Sequence, residues 1–379
     1  MDFQLTEDQT DLREILHKYA KEVLAPRAVE IDAENRFPTE TIKELAEQDL
    51  MGIAYPEEYG GAGADSVTEA IAVEEIAYGC AATASILTGH YLGYDALFLA
   101  GTEEQKEKYL KPACSGEKLA GFCLTEPNSG SDAASSSTTA VLDGDCYVLN
   151  GTKHFITNAA DADFLVAFAM TDKAKRSHGM TAFLIEKGME GFTIGAGDDK
   201  MGIRGARTWE VIFDHCRVPA ANVIGEVNHG FKLAMQVIDR GRAGIAAMSV
   251  GVAQAALDMA KDYAKERIVF GNKLSTYQGI QWMLAEMDAD VQAARYSTYY
   301  AASLKDSGKR FSREAACAKL FASEAAHRVV NKALQIHGGY GYMKEYPIER
   351  LYRDQRILEI FEGTSQIQKI VIAGNMLKD

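Results

Sequence analysis

The chain has 379 residues, 47% of them hydrophobic and 25% charged, with a formal net charge of -14. That length predicts about two or three domains with ample core, and the composition excludes a disordered chain. The acidic balance excludes nucleic acid or an anionic membrane as the main partner, because either would repel it.

An anionic substrate would therefore need local basic groups. The six cysteines, Cys80, Cys114, Cys123, Cys146, Cys216 and Cys317, are scattered, without a C-x-x-C pair or a nearby His to build a metal site. They are expected to be reduced and mostly buried, which points to an intracellular, cytoplasmic protein. The start MDFQLTEDQT lacks the regions of a signal peptide, and no apolar run is expected to reach the roughly 18 residues of a membrane span.

Thr6 and Gln9 form a capping box ahead of Leu12, Ile15, Leu16, Tyr19 and Val23, which predicts a helix ending at Pro26. Pro38 and Thr39 start a second amphipathic segment through Ile42, Leu45 and Leu50. The glycine-rich stretch EEYGGAGAD, 57–65, matches neither phosphate-binding fingerprint and reads as a connector. Ser66 with Glu69 is expected to cap a third helix. Residues 81–100 form a mostly buried fourth, and Thr102 with Gln105 caps a fifth that stops at Pro112.

From about Leu119 the pattern changes to short β-branched and aromatic runs: LAGFCL, DCYVLNG, FLVAFAM, MTAFLIE, GFTIG and TWEVIFDHCRVP. With no helical pattern between them, they predict an antiparallel sheet or small barrel. The serine run at 131–140 reads as a solvated polar linker, Ser131 excepted. After Gly225 the helical period returns at 231–267, 276–303, 312–336 and 364–377, predicting a four-helix bundle. Gly241, Gly244 and Gly251 sit inside its first helix, each at a cost of roughly 1 kcal/mol relative to Ala, which suggests close packing there. The predicted domains are residues 1–118, helical; 119–225, β-barrel; and 226–379, four-helix bundle.

In EIFEGTSQIQ, 359–368, Glu362 stands between Phe361 and Gly363, and Ser365 with Gln368 reads as a capping box before Ile367, Ile370 and Val371. A carboxyl at such a turn, beside an aromatic ring and partly desolvated, has its pKa raised and suits a general base. The same spacing also describes a surface Glu before an ordinary helix cap.

The order of helical zone, β zone and bundle, together with FCLTEPNSGSD (122–132), HFITN (154–158), RIVFG (267–271), HGGYGY (337–342) and FEGTSQIQ (361–368), resembles the acyl-CoA dehydrogenases over essentially the whole chain. The resemblance is nearest to the short-chain, butyryl type of bacteria. It implies a mainly α protein with a central antiparallel β-barrel, FAD as cofactor, an acyl-CoA thioester as substrate and an electron-transfer flavoprotein as electron acceptor. Glu362 would be the base that takes the α-proton, while the β-hydrogen leaves as hydride to the flavin N5.

The same resemblance gives Phe122, Leu124, Thr125, Gly130 and Ser131 to the flavin loop, with Thr125 at the pyrimidine edge and Ser131 also reaching the CoA moiety. Phe155 stacks on the flavin where Trp is common, and Thr157 meets the N5 region. Arg267, Phe270 and Gln278, together with Gln335, Gly338 and Gly339, approach the FAD adenine and diphosphate from a neighbouring subunit. The implied assembly is an obligate oligomer, a tetramer.

Thr364, Ser365 and Gln366 would contact FAD, Gly363 would let the thioester pass, and Asp239 and Arg242 would contact substrate. Read without the resemblance, Arg242 equally suits a buried ion pair, Gly338 and Gly339 a helix stop, and His337 a satisfied core histidine. Some relatives carry the base at the position that is Gly241 here. Ala206 replaces a common serine, and the absence of Lys or Arg between Ala81 and Ala100 disfavours a dicarboxylic substrate. Three alternatives stay open: enoyl-CoA reduction by the reverse chemistry, including aromatic or cyclic acyl groups; a flavin oxidase or monooxygenase on this scaffold; and a helical binding protein with a decayed site.

Overall fold

A computed structural model describes residues 4–378. Helices fill the first part of the chain: α1, residues 7–34, then α2 (Thr39–Glu47), α3 (Ser66–Gly79), α4 (Ala81–Ala100) and α5, residues 103–114. The capping boxes at Thr6 and Thr102 are present. Neither proline ends its helix, however. Pro26 and Pro112 each follow a π-helical turn, Ala20–Leu24 and Lys106–Leu110. The widened turn shifts the hydrogen-bond register just before the proline, so its ring and missing N–H are tolerated.

The cap of α3 is Asp65, not Ser66: its carboxylate accepts from Thr68 N at 2.7 Å. The Ser66 hydroxyl is drawn instead to Asp306 at 2.6 Å, and Glu69 to Lys305 at 2.9 Å. Residues 57–65 form a connector folded back on itself, with Gly61 N bonded to Pro56 O.

Eight strands follow: β1 (Ala120–Cys123), β2 (Thr139–Asp143), β3 (Cys146–Thr157), β4 (Phe164–Met170), β5 (Met180–Glu186), β6 (Phe192–Gly197), β7 (Thr208–Pro219) and β8 (Val223–Ile224). Their order is β6-β7-β3-β2-β4-β5-β8, with β1 beside β4. The sheet is mostly antiparallel, but β1 and the end of β2 pair with β4 in parallel, so it is mixed. β4 is buried along its whole length because both its faces are covered. Phe164, Val166, Phe168 and Met170 enter the core shared with the helices, whereas Leu165, Ala167 and Ala169 enter the sheet's own core. A continuous apolar run is what such a strand requires.

The serine run is not a plain solvated linker. Ser136 and Thr138 are buried, and the run folds around Glu126.

The last part is a bundle of α6 (Gly230–Glu266), α7 (Gln278–Asp306), α8 (Ser312–His337) and α10 (Ser365–Met376), with a short α9 (Ile348–Gln355) that the periodicity did not reveal. A hairpin of β9 (Ile268–Val269) and β10 (Asn272–Lys273) joins α6 to α7. α6 is long and apolar enough to cross a membrane, contrary to expectation, yet most of that stretch is buried inside the protein, as the central helix of a bundle must be. Its glycines mark close approaches: a Cβ at Gly251 would stand 2.1 Å from the Glu74 carbonyl of α3. His90 of α4 stitches the helices to the sheet, accepting from Ala120 N at 2.9 Å and donating to Ala113 O at 3.0 Å, with its pKa pushed down to about 4 by burial.

Candidate active site

Glu362 sits in a turn of two successive left-handed residues, with φ 50° at Glu362 and 91° at Gly363. The residue as a whole is half-buried, but its Oε2 is sealed from solvent and has no hydrogen-bond partner among the described residues. Burial pushes the carboxyl up to about 7. Lys319 and Arg242 pull it down, and Asp95 adds to the rise. The opposing wall is Gly241, where a Cβ would meet Glu362 Oε2 at 2.6 Å and Leu92 of α4 at 2.7 Å.

The helix cap lies one residue earlier than expected. Thr364 caps α10 by accepting from Ile367 N, while Ser365 is buried and Gln366 exposed. Gln368 does not complete a capping box either, because its amide reaches back to the carbonyls of Glu362 and Gly363 at 3.1 and 2.8 Å.

The HFITN segment lies on a β-bulge. Between Lys153 and Ile156 the register of β3 against β7 shifts, and a bulge re-aims the residues it displaces. Phe155 takes φ 59° and is left 61% exposed, edge-on to His154. Thr157 returns to the ladder opposite Thr208.

The 122–132 segment is held to the same strand, since Thr125 O accepts from His154 N at 2.9 Å and Leu124 O from buried Lys153 Nζ at 3.0 Å. Glu126 is the anchor. Lys153 at 2.8 Å and the amide and hydroxyl of Ser137, both at 2.6 Å, surround its carboxylate. Burial raises that carboxyl, but Lys153 and the serine hydroxyls outweigh burial and hold it far below its usual range. Phe122 packs against Phe168, whereas Gly130 and Ser131 lie exposed at the loop tip.

α4 brings the two parts together. A Cβ at Gly89 would stand 3.2 Å from Thr157 Cγ2, and on neighbouring turns Thr88 and Leu92 meet Gly244 and Gly241 of α6, next to Glu362. α4 has no Lys or Arg of its own, but the structure brings Arg240 of α6 to it, paired with Asp95 at 2.7 Å; Tyr55 donates to the same oxygen at 2.6 Å. Arg242 adopts the buried ion-pair alternative, bonded to Asp239, whose other oxygen accepts from Ser312.

The remaining predicted residues form a second cluster. Arg267, Gly338 and Gly339 line a cavity of about 470 Å³ together with Tyr263, His337 and Tyr340. The Arg267 guanidinium lies over Tyr340, and His337 stacks on Tyr263 as a core histidine, bonded to Ala333 O. Gly338 also ends α8. Gln278 and Gln335 are exposed, and Phe270, at the hairpin tip, is 94% exposed. At 1.5 Å per helical residue, Arg267 lies roughly 40 Å along α6 from Gly241.

The chain matches the acyl-CoA dehydrogenase N-terminal domain over residues 6–117, the middle domain over 121–216 and the C-terminal domain over 228–377. The chain belongs to the acyl-CoA dehydrogenase family. It is 49% identical to an acryloyl-CoA reductase (NADH) of Anaerotignum propionicum over 380 residues, covering 100% of this chain and 96% of the relative. It is 47% identical to the short-chain specific acyl-CoA dehydrogenase of Clostridium acetobutylicum, covering 100% of both chains. The butyryl-CoA dehydrogenase of Megasphaera elsdenii superposes with a TM-score of 0.97 at 44% identity over 100% of both chains. A chain from a structure described as the electron transferring flavoprotein of Acidaminococcus fermentans does so at 0.98 and 46%, again over 100% of both.

This acyl-CoA dehydrogenase is FAD-dependent, and its residues fit the cofactor. Phe155 offers an exposed face, Thr125 is tied to its neighbour His154, Thr157 ends the same strand, and a Cβ at Gly130, Gly338 or Gly339 would meet nothing within 4 Å. Such open glycine backbone admits a ligand to close approach.

Sequence reasoning missed Lys153, Glu126, Arg240 and Lys319. Lys319 carried a signal. It interrupts the apolar stripe Ala315, Ala322, Ala326 and Val329 of α8, all of them buried, and it is itself fully buried. A lysine at helical spacing within an apolar face faces inward.

Proposed function

We propose that the protein oxidises a short-chain acyl-CoA thioester to the trans-2-enoyl-CoA, with Glu362 as the base. The observation that carries this reading is the Glu362 carboxylate itself: poised by burial near neutrality, with Oε2 unpaired among the described residues and seated against Gly241, where any side chain would displace it. Glu362 takes the α-proton, and its backbone N–H polarises the thioester carbonyl, stabilising the developing enolate. FAD, when bound against Phe122, Leu124, Thr125, Gly130, Ser131, Phe155 and Thr157, supplies the acceptor for the β-hydrogen. Gly363 lets the thioester pass, and Asp239 with Arg242 fixes the floor beside it. Arg240, the cation brought to α4, is already paired with Asp95, which favours an uncharged acyl end over a distal carboxylate.

The electron acceptor we assign is an electron-transfer flavoprotein, supported by the likeness to the chain from the Acidaminococcus fermentans structure. The protein works as a homotetramer in the cytoplasm. The roughly 40 Å between Gly241 and Arg267 supports the assembly, because no single dinucleotide that meets Thr157 also reaches that cluster in the same subunit. A neighbouring subunit's Arg267, Phe270, Gln278, Gln335, Gly338 and Gly339 then complete the FAD site. The 49% identity to an acryloyl-CoA reductase favours, as a second reading, physiological flow toward the saturated thioester, with Glu362 acting as acid.

The test is anaerobic mixing of the yellow protein with butyryl-CoA and with enoyl-CoA thioesters, followed by flavin absorbance. The wild type bleaches with butyryl-CoA, and Glu362→Gln keeps FAD but loses bleaching by several orders of magnitude. Near-normal bleaching in that variant removes the assignment. Reoxidation in air within milliseconds would instead make the protein an oxidase.

A further inference from the structure

We propose that Lys319, together with Gln368, is a positioning pair that holds the Glu362 turn in place and supplies the positive charge against which its carboxylate ionises. The inference rests on Glu362 being the base.

Two successive left-handed residues persist only where the surroundings over-determine them, since a non-glycine residue there costs about 1–2 kcal/mol. Two buried side chains provide that restraint. Lys319 Nζ donates to Gly363 O at 2.7 Å, and the Gln368 amide donates to both Glu362 O and Gly363 O. Lys319 comes from α8 and Gln368 from α10, so the turn is gripped from two directions. A Cβ at Gly363 would stand 2.8 Å from Gln368 Nε2, which shows how closely the amide is seated.

A buried ammonium also needs a counter-charge. Three other charged groups act on Lys319 and Glu362. Arg242 of α6 is bonded to Asp239, Asp95 of α4 is bonded to Arg240, and Glu359 is paired with Arg356 at 3.2 Å and with His327 at 3.6 Å. Among the described residues, the carboxylate there whose buried oxygen has no hydrogen-bond partner is that of Glu362. Lys319 does not bond to it directly; it bonds the next carbonyl along the chain. A direct salt bridge would occupy the oxygen that must receive a proton, whereas a charge held one peptide away favours the carboxylate through space and leaves Oε2 open. The mutual effect agrees: Glu362 raises Lys319 against the burial that pulls it down to about 8.

The test uses the FAD-loaded enzyme and compares Lys319→Met with Gln368→Met. In Lys319→Met the carboxylate loses its counter-charge, so the pH midpoint of flavin bleaching moves up by about one unit or more, and the rate at pH 6.5 falls about tenfold. In Gln368→Met the rate falls while the midpoint stays. Lys319→Met with FAD bound and an unmoved midpoint overturns the proposal. Should that variant not retain FAD, Gln368→Met decides alone, and an unchanged bleaching rate there overturns it.

A readout free of substrate separates this inference from the assigned reaction. The infrared carboxyl band of Glu362, identified by its loss in Glu362→Gln, titrates at higher pH in Lys319→Met even if no acyl-CoA bleaches the wild type. An unshifted band overturns the proposal.

Discussion

At Glu362, burial without a hydrogen bond makes the proton hard to lose, and the Lys319 ammonium brings the carboxyl back to about 7. The consequence for activity has a definite sign: the base is ionised only above that value, so bleaching by substrate rises with pH through about 7 and levels off above it. The consequence for stability runs the other way. Between the ordinary carboxyl range near 4.3 and about 7, the native protein holds a proton that the unfolded chain has released, so stability falls as pH rises across that window. Glu362→Gln removes the ionisation, so the fall in melting temperature that the wild type shows between pH 4.5 and pH 8 should be lost in the variant, and thermal melts at both pH values check this; an undiminished fall in the variant would contradict it.

Elements position these residues through local irregularities that each have a cause. The bulge in β3 throws Phe155 out of the ladder; the π turns let α1 and α5 pass through proline; glycine lets α6 lie directly against α3. Gly251→Ala would press a methyl against the Glu74 carbonyl, 2.1 Å away, and overpacking of that kind costs about 1–3 kcal/mol. A lowered melting temperature without loss of the yellow colour per folded molecule is the expected result.

The Glu126–Lys153 pair makes a second prediction at this scale. Glu126→Ala leaves a buried ammonium unpaired, a loss of about 3–5 kcal/mol, together with weaker FAD retention measured by absorbance after gel filtration. Because the native Glu126 carboxyl lies below its unfolded value, the wild-type stabilisation is present above about pH 4 and is lost as pH falls further. The acid limb of the stability curve should therefore flatten in the variant.

For the whole molecule, the proposed FAD site would need a second subunit facing this one, because its two clusters lie roughly 40 Å apart along α6. Phe270 is the clearest marker, a large aromatic with 94% of its surface open at a hairpin tip. Phe270→Asp is expected to lower the assembly state in sedimentation velocity and to release FAD on dilution. An unchanged mass together with full FAD content would sink the shared-site arrangement.

The sequence by itself determined the helix-sheet-bundle order, the capped helix starts at Thr6 and Thr102, the six strand runs read from Leu119 onward, and the turn that carries Glu362, because periodicity, caps and turn residues act over a few residues. It also carried the close-packing glycines of α6, although not their partners. The tertiary structure decided the rest. It moved the α10 cap to Thr364, because Gln368 had carbonyls of the Glu362 turn to satisfy. It folded the serine run around Glu126, paired Arg242 with Asp239, and buried Lys319 against Gly363. Each of these joins residues that are remote in sequence or that choose between rival partners, and a hydrogen bond or a buried charge finds its partner only once the chain has folded.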